Sequence, residues 1–143
     1  MMLSFVVGCA GGIWLYTLYK TDNRKTKSEV FLIEAYNYYN KKNYNQAMLN
    51  LGGSIIFEKE QYEAYLLLAK IYEELDKPEL ALCTYKKVYP LMSMSNCFYA
   101  CRTMNNSEKK RYKKIIDIEK EQVLTKIKQL NSKWGENPCI DLF

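Results

Sequence analysis

Small and aromatic residues recur in this chain at an offset of 34 positions, and that recurrence limits the fold more than any other feature. Ala69 answers Ala35, Tyr65 answers Phe31, Tyr72 answers Tyr38, Ala81 answers Ala47 and Tyr85 answers Leu51. A period of roughly 20 to 50 residues marks an architecture in which one supersecondary unit stacks on the next. Alanines at fixed places let two helices approach closely, and the large side chains between them fill the groove that remains. Polar punctuation at Lys41-Lys42-Asn43 and Asp76-Lys77-Pro78 divides each copy into two helices, with Pro78 placed to open the second. Only 6 Gly and 3 Pro occur in 143 residues, so turns are few and helix is favoured.

The stretches EVFLIEAYNYYNKKNYNQAMLNLGGSIIF and YEAYLLLAKIYEELDKPELALCTYKKVYPL resemble two successive tetratricopeptide repeats. Phe31, Ala35, Tyr38, Ala47, Leu51 and Ser54 stand on the motif positions of the first, and Tyr65, Leu68, Ala69, Tyr72, Ala81 and Tyr85 on those of the second. Glu34, Lys59 and Val88 depart from the pattern. The resemblance implies two helical hairpins over 28–95, with an inner surface formed mainly by the first helix of each pair. Carried onto this chain, it implies a peptide-binding groove of Leu32, Tyr36, Tyr39, Glu63, Leu66, Lys70, Glu73 and Glu74, edged by Glu29 and Asn40. Apolar and aromatic side chains beside carboxylates suit an amphipathic helix with basic residues; an ordinary solvated surface is the alternative. The Lys and Asn clamp with which some relatives grip a C-terminal carboxylate is missing, since Leu32 and Tyr36 occupy matching positions.

Beyond Met94 the register is lost. Residues 95–104 read as a degenerate first helix of a third hairpin, Asn105-Asn106-Ser107 as a turn and cap, and Glu108 onward as a long final helix. Its apolar residues Tyr112, Ile115, Ile116, Val123, Ile127, Leu130 and Trp134 recur largely at helical spacing, and Gly135 and Pro138 end it. This segment, 96–134, is expected to cap the open end of the stack, leaving 135–143 as a tail. Lys109-Lys110-Arg111 and Lys113-Lys114 form a basic block, read as a solvated face or a contact for acidic lipid or an acidic partner.

Residues 1–19 carry no charged side chain, and 19 helical residues span about 28 Å, close to the thickness of a bilayer core. Trp14, Tyr16 and Tyr19 lie toward one end, followed by a basic linker over 20–27 with Lys20, Arg24, Lys25 and Lys27. The positive-inside bias then leaves the rest of the chain in the cytosol. Gly8 and Gly12 form a GxxxG spacing through which a partner transmembrane helix could pack. A cleaved signal peptide fits less well, because no basic residue precedes the apolar run. The predicted fold is therefore all-α: a transmembrane helix, two tetratricopeptide hairpins, a degenerate third helix and a long C-terminal capping helix.

Catalytic chemistry has no evident carriers. There is no His, no phosphate-binding glycine loop and no nucleophile elbow, so no enzyme, metal or cofactor is expected. The five cysteines are odd in number and lack CxxC spacing; no disulfide framework is expected, and a reducing compartment fits best. The net charge of +5 comes without a nucleic-acid fingerprint, so no nucleic acid is expected. The anchor, its basic flank and the repeat around Tyr44-Asn45-Gln46-Ala47 also resemble the small receptor of the mitochondrial outer-membrane protein translocase, which binds basic presequence helices. That family has one repeat motif and an acidic C-terminal region, whereas this chain has two motifs and a basic C-terminal helix. The sequence thus points to a membrane-embedded adaptor with a protein or peptide partner at the mitochondrial outer membrane. The alternatives are a structural accessory subunit or assembly factor of a membrane complex, and the endoplasmic reticulum as its membrane.

Overall fold

The computed structural model describes residues 27–94, 104–134 and 139, and all regular structure among them is helical. Helix α1 covers 27–40, α2 Tyr44–Phe57, α3 Tyr62–Glu74 and α4 Pro78–Val88, continued by a 3-10 turn Tyr89–Leu91. A 29-residue helix, α5, runs from Asn106 to Trp134. None of the described helices is long and apolar enough to cross a membrane. The expected anchor over 1–19, with Gly8 and Gly12, lies outside the described residues, as does the expected helix over 95–104 apart from Met104, which is not helical.

The 34-residue offset holds for backbone geometry. Helix α1 ends at 40 and α3 at 74; α2 begins at 44 and α4 at 78. The two turns close in the same way. Lys42 and Asp76, at φ 57° and 53°, take the left-handed conformation that terminates a helix. Asn43 N–H donates to the Tyr38 carbonyl and Lys77 N–H to the Tyr72 carbonyl, at 2.9 and 2.8 Å. Lys42 N–H donates to the Tyr39 carbonyl and Asp76 N–H to the Glu73 carbonyl, at 2.8 and 3.0 Å. Each pair of bonds satisfies carbonyls that a helix end leaves open.

Side chains follow the same offset. Ala35, Ala47, Ala69 and Ala81 are all fully buried, and Leu51 and Tyr85 are buried beside them. Asn50 Nδ2 and Thr84 Oγ1 each donate to the carbonyl one turn back, those of Gln46 and Leu80. In the first hairpin the Phe31 ring lies against Gly53; a Cβ there would sit 3.0 Å from it. In the second, Tyr65 replaces the Phe and Lys87 the Gly, and the Lys87 ammonium lies 5.1 Å from the Tyr65 ring centre. A ring is thus packed by close backbone approach in one copy and by cation–π contact in the other.

Helix α3 is the wall between two cores. Ala64, Leu67 and Ile71 face α1 and α2, packing with Ala35, Ala47 and Leu51. Tyr62, Tyr65, Leu66 and Ala69 face α4 and α5, packing with Ala81, Tyr85, Val88, Ile116 and Val123. A helix buried on both sides must be apolar nearly all round, which is why YEAYLLLAKIY has no wide polar face. A buried polar cluster pins the other end of the first hairpin. Ser54 Oγ donates to Gln61 Oε1 at 2.7 Å and lies 3.0 Å from the Ser28 carbonyl, while the Ser28 hydroxyl reaches the Ser54 carbonyl at 2.9 Å. All three side chains are fully buried. They tie the start of α1 to the α2–α3 turn.

Candidate functional site

Helix α5 packs chiefly on α4 and reaches the edge of α3 through its side chains, covering Leu66 and Glu73 of the surface on which the sequence placed a peptide groove. Its hold begins with a reciprocal cap: Asn105 Oδ1 accepts from Glu108 N–H at 3.0 Å, and Glu108 Oε2 accepts from Asn105 N–H at 2.8 Å. The helix therefore opens at Asn106, two residues before the expected start at Glu108. Ile116 and Val123 enter the core, and Tyr112, Ile127 and Leu130 pack partly against it, at spacings of three to four residues and their multiples. Helices α3 and α5 run in the same direction, since Tyr112 meets Tyr62 near one end and Lys126 meets Glu73 near the other.

Glu73 is the hub of this seam. Its Oε2 accepts the Tyr85 hydroxyl at 2.7 Å and its Oε1 the Lys126 ammonium at 2.7 Å, so one carboxylate joins α3, α4 and α5. Burial, and then the bond to Glu73, push the Tyr85 hydroxyl far above its ordinary pKa. Burial and the nearby Glu63 do the same for Tyr62, whose hydroxyl lies 3.3 Å from that of Tyr112. Lys120 anchors α5 at a second place, with its ammonium 5.0 Å from the Tyr89 ring centre and 3.4 Å from the Met92 carbonyl.

The groove residues named from sequence fall into distinct settings. Leu66 is buried and Glu73 half-buried in the seam with α5. With Lys70, Tyr85, Gln122 and Val123 they line a residual cleft of about 140 Å³. That volume is far below the roughly 300 Å³ at which ligand pockets begin, so no helix fits between α3 and α5 as they stand. Tyr36 sits at the rim. Burial, then the carboxylates of Glu63 and Glu119, push its hydroxyl up to about 12. Glu63 is half-buried and Glu74 exposed, the latter 3.4 Å from the Tyr44 hydroxyl. Leu32 and Tyr39 pack instead against the α1–α2–α3 core, where Tyr39 meets the Tyr44 ring.

The sequence reading missed one covalent feature. Cys83 of α4 and Cys139 of the tail form a disulfide across 56 residues, where no disulfide framework was expected. The odd cysteine count concealed it, because one pair can form whatever the others do. The Ser28–Ser54–Gln61 cluster was also unforeseen, since Ser and Gln beside turns ordinarily face water. Among the described residues no group of three or more His, Cys, Asp or Glu side chains could hold a metal ion.

Fold and site define a protein, all-helical among its described residues, in which a basic terminal helix packs on the last helix of a periodic pair of hairpins and meets the edge of the central one. No protein-family model, no curated protein and no solved structure matches the chain.

Proposed function

We propose that this protein is a membrane-anchored adaptor of tetratricopeptide type whose α3 face receives amphipathic basic helices of partner proteins, with α5 as its internal occupant. The observation that carries the reading is the seam itself: a basic amphipathic helix already rests there, through Val123 beside Leu66 and Lys126 on Glu73. Helix α5 holds nine Lys and Arg against four Asp and Glu, an excess of five that equals the net charge of the whole chain. The surface beneath it supplies an apolar floor and carboxylates, the complement such a helix requires. The 34-residue recurrence of turns, alanines and capping bonds supports the tetratricopeptide assignment. The uncharged run over 1–19 and the basic linker over 20–27 support an anchor with the helices on the cytosolic side, at the mitochondrial outer membrane.

Competition with α5 gives the test. A ligand reads an affinity reduced by the fraction of molecules whose groove is open. Lys126→Ala removes a partly exposed ion pair worth up to about 1 kcal/mol, so the open fraction rises up to about fivefold. Full-length protein in detergent, titrated with a fluorescent basic amphipathic peptide, is expected to bind several-fold more tightly as Lys126→Ala than as wild type. Glu63→Lys is expected to weaken binding. Equal absence of binding in all three proteins, with the chain recovered in a stoichiometric membrane complex, would instead establish the structural-subunit reading.

A further inference from the structure

We infer that the Cys83–Cys139 disulfide is a redox latch that holds α5 against α4 and over the edge of the α3 face. The inference rests on the proposed reading of that face as a helix-binding surface, whose access the latch would govern.

Chain length makes the bond decisive. Cys139 lies five residues beyond Trp134, the last residue of α5. Five extended residues reach at most about 17 Å. The Cα atoms of the two cysteines are 5.2 Å apart. With the bond intact, the end of α5 therefore stays close to α4. Without it, the covalent tether of α5 is at its other end alone, where the twelve residues from Met94 to Asn106 set an upper bound of about 40 Å.

The noncovalent hold is narrow by comparison. Ile116 and Val123 are the fully buried side chains among those described on α5; Tyr112, Ile127 and Leu130 are only partly buried, Lys120 reaches Tyr89 and the Met92 carbonyl, and the Lys126–Glu73 pair is 47% and 30% exposed. A stripe this thin on a helix this charged is suited to release.

The two sulfurs are placed unequally. Cys83 is 3% exposed, whereas Cys139 is half-buried. A small-molecule thiolate therefore attacks Cys139 Sγ; the Cys83–Cys139 bond breaks, and Cys83 leaves as a thiolate that takes up a proton. A second thiolate attacks the sulfur of the bound small molecule, releasing Cys139 as a thiol and the small molecule as its own disulfide. Two thiols thus supply two electrons and two protons. A small-molecule disulfide reverses both steps. On the cytosolic side, where the proposed topology places it, such a bond is switched rather than permanent.

Hydrogen exchange on the full-length protein in detergent, under oxidised and reduced glutathione, reads the latch directly. Reduction is expected to speed exchange of the α5 amides tenfold or more while α1 to α4 keep their protection. Cys139→Ser is expected to show the fast α5 exchange in both buffers. Unchanged α5 exchange on reduction overturns the latch, as does finding both cysteines free to alkylate in the oxidised buffer. Loss of protection throughout the molecule overturns it too, because the bond would then be a staple of the whole fold. Release of α5 without any binding of a basic amphipathic peptide leaves the latch standing and overturns the groove reading alone.

Discussion

Two neighbouring glycines in α2 show how one residue's surroundings decide what a methyl group does. A Cβ on Gly52 meets nothing within 4 Å, whereas one on Gly53 comes within 3.0 Å of the Phe31 ring. That ring is stacked on Phe57 at 5.8 Å between centroids, so it has little room to yield. Glycine inside a helix costs about 0.5–1 kcal/mol relative to alanine. Gly52→Ala is therefore expected to stabilise the protein by about that amount, and Gly53→Ala to gain little or lose, as followed by thermal unfolding in circular dichroism. Nothing in the sequence distinguishes the two; only contact geometry separates them. Ser54 is a sharper case. Its hydroxyl serves the buried Gln61 and Ser28, so Ser54→Ala removes one donor from a buried polar cluster, leaves Gln61 Oε1 to the Ser28 hydroxyl alone, and is expected to cost about 1–3 kcal/mol in the same measurement. Nothing local in Ser54 signals this, because its partners lie 7 and 26 residues away.

Among the helices, those of the hairpins were the readable ones. Their ends are set by neighbours in sequence: Lys42 and Asp76 each close a turn with bonds that reach no more than five residues back. The cap of α5 belongs to the same class. Asn105→Ala removes an acceptor and unseats the Glu108 reply, so it is expected to weaken α5 by about 1 kcal/mol. Faster hydrogen exchange confined to the first turn of α5 is the expected signature. Where α5 rests was another matter. Its stripe of Tyr112, Ile116, Val123, Ile127 and Leu130 announces that one face is buried, but an apolar stripe does not name its partner. The groove residues Leu66 and Glu73 were picked out as a surface for a basic helix, and a basic helix from the same chain covers them. The disulfide was equally hidden, since a separation of 56 residues leaves no spacing signature.

At the scale of the whole molecule, tyrosine chemistry makes alkaline stability the property that reports on how the helices are seated. Burial raises the hydroxyl pKa of Tyr36, Tyr62, Tyr65, Tyr85 and Tyr112 above the ordinary 10.0, and Tyr36 reaches about 12. Below pH 10 these groups are protonated whether the chain is folded or not, so their contribution to stability is fully present. Above it the unfolded chain releases protons that the folded chain retains, and every further increase in pH favours unfolding. For Tyr36 the loss runs from about 10 to about 12. Tyr62 with Tyr112, and Tyr85 with Glu73, all lie along the seam of α3 with α4 and α5, so the strain gathers where α5 is docked. Helical circular dichroism is expected to hold to about pH 10 and then fall cooperatively. Absorbance at the tyrosinate band should rise first for exposed tyrosines and then, together with the loss of helix, for the buried ones. Ionisation of all tyrosines in one early step with the helices intact would mean that α5 does not sit against α4 and the edge of α3 in solution. With the disulfide reduced, the same titration should break at lower pH, because a helix held by its noncovalent contacts alone has less to resist the charge developing beneath it.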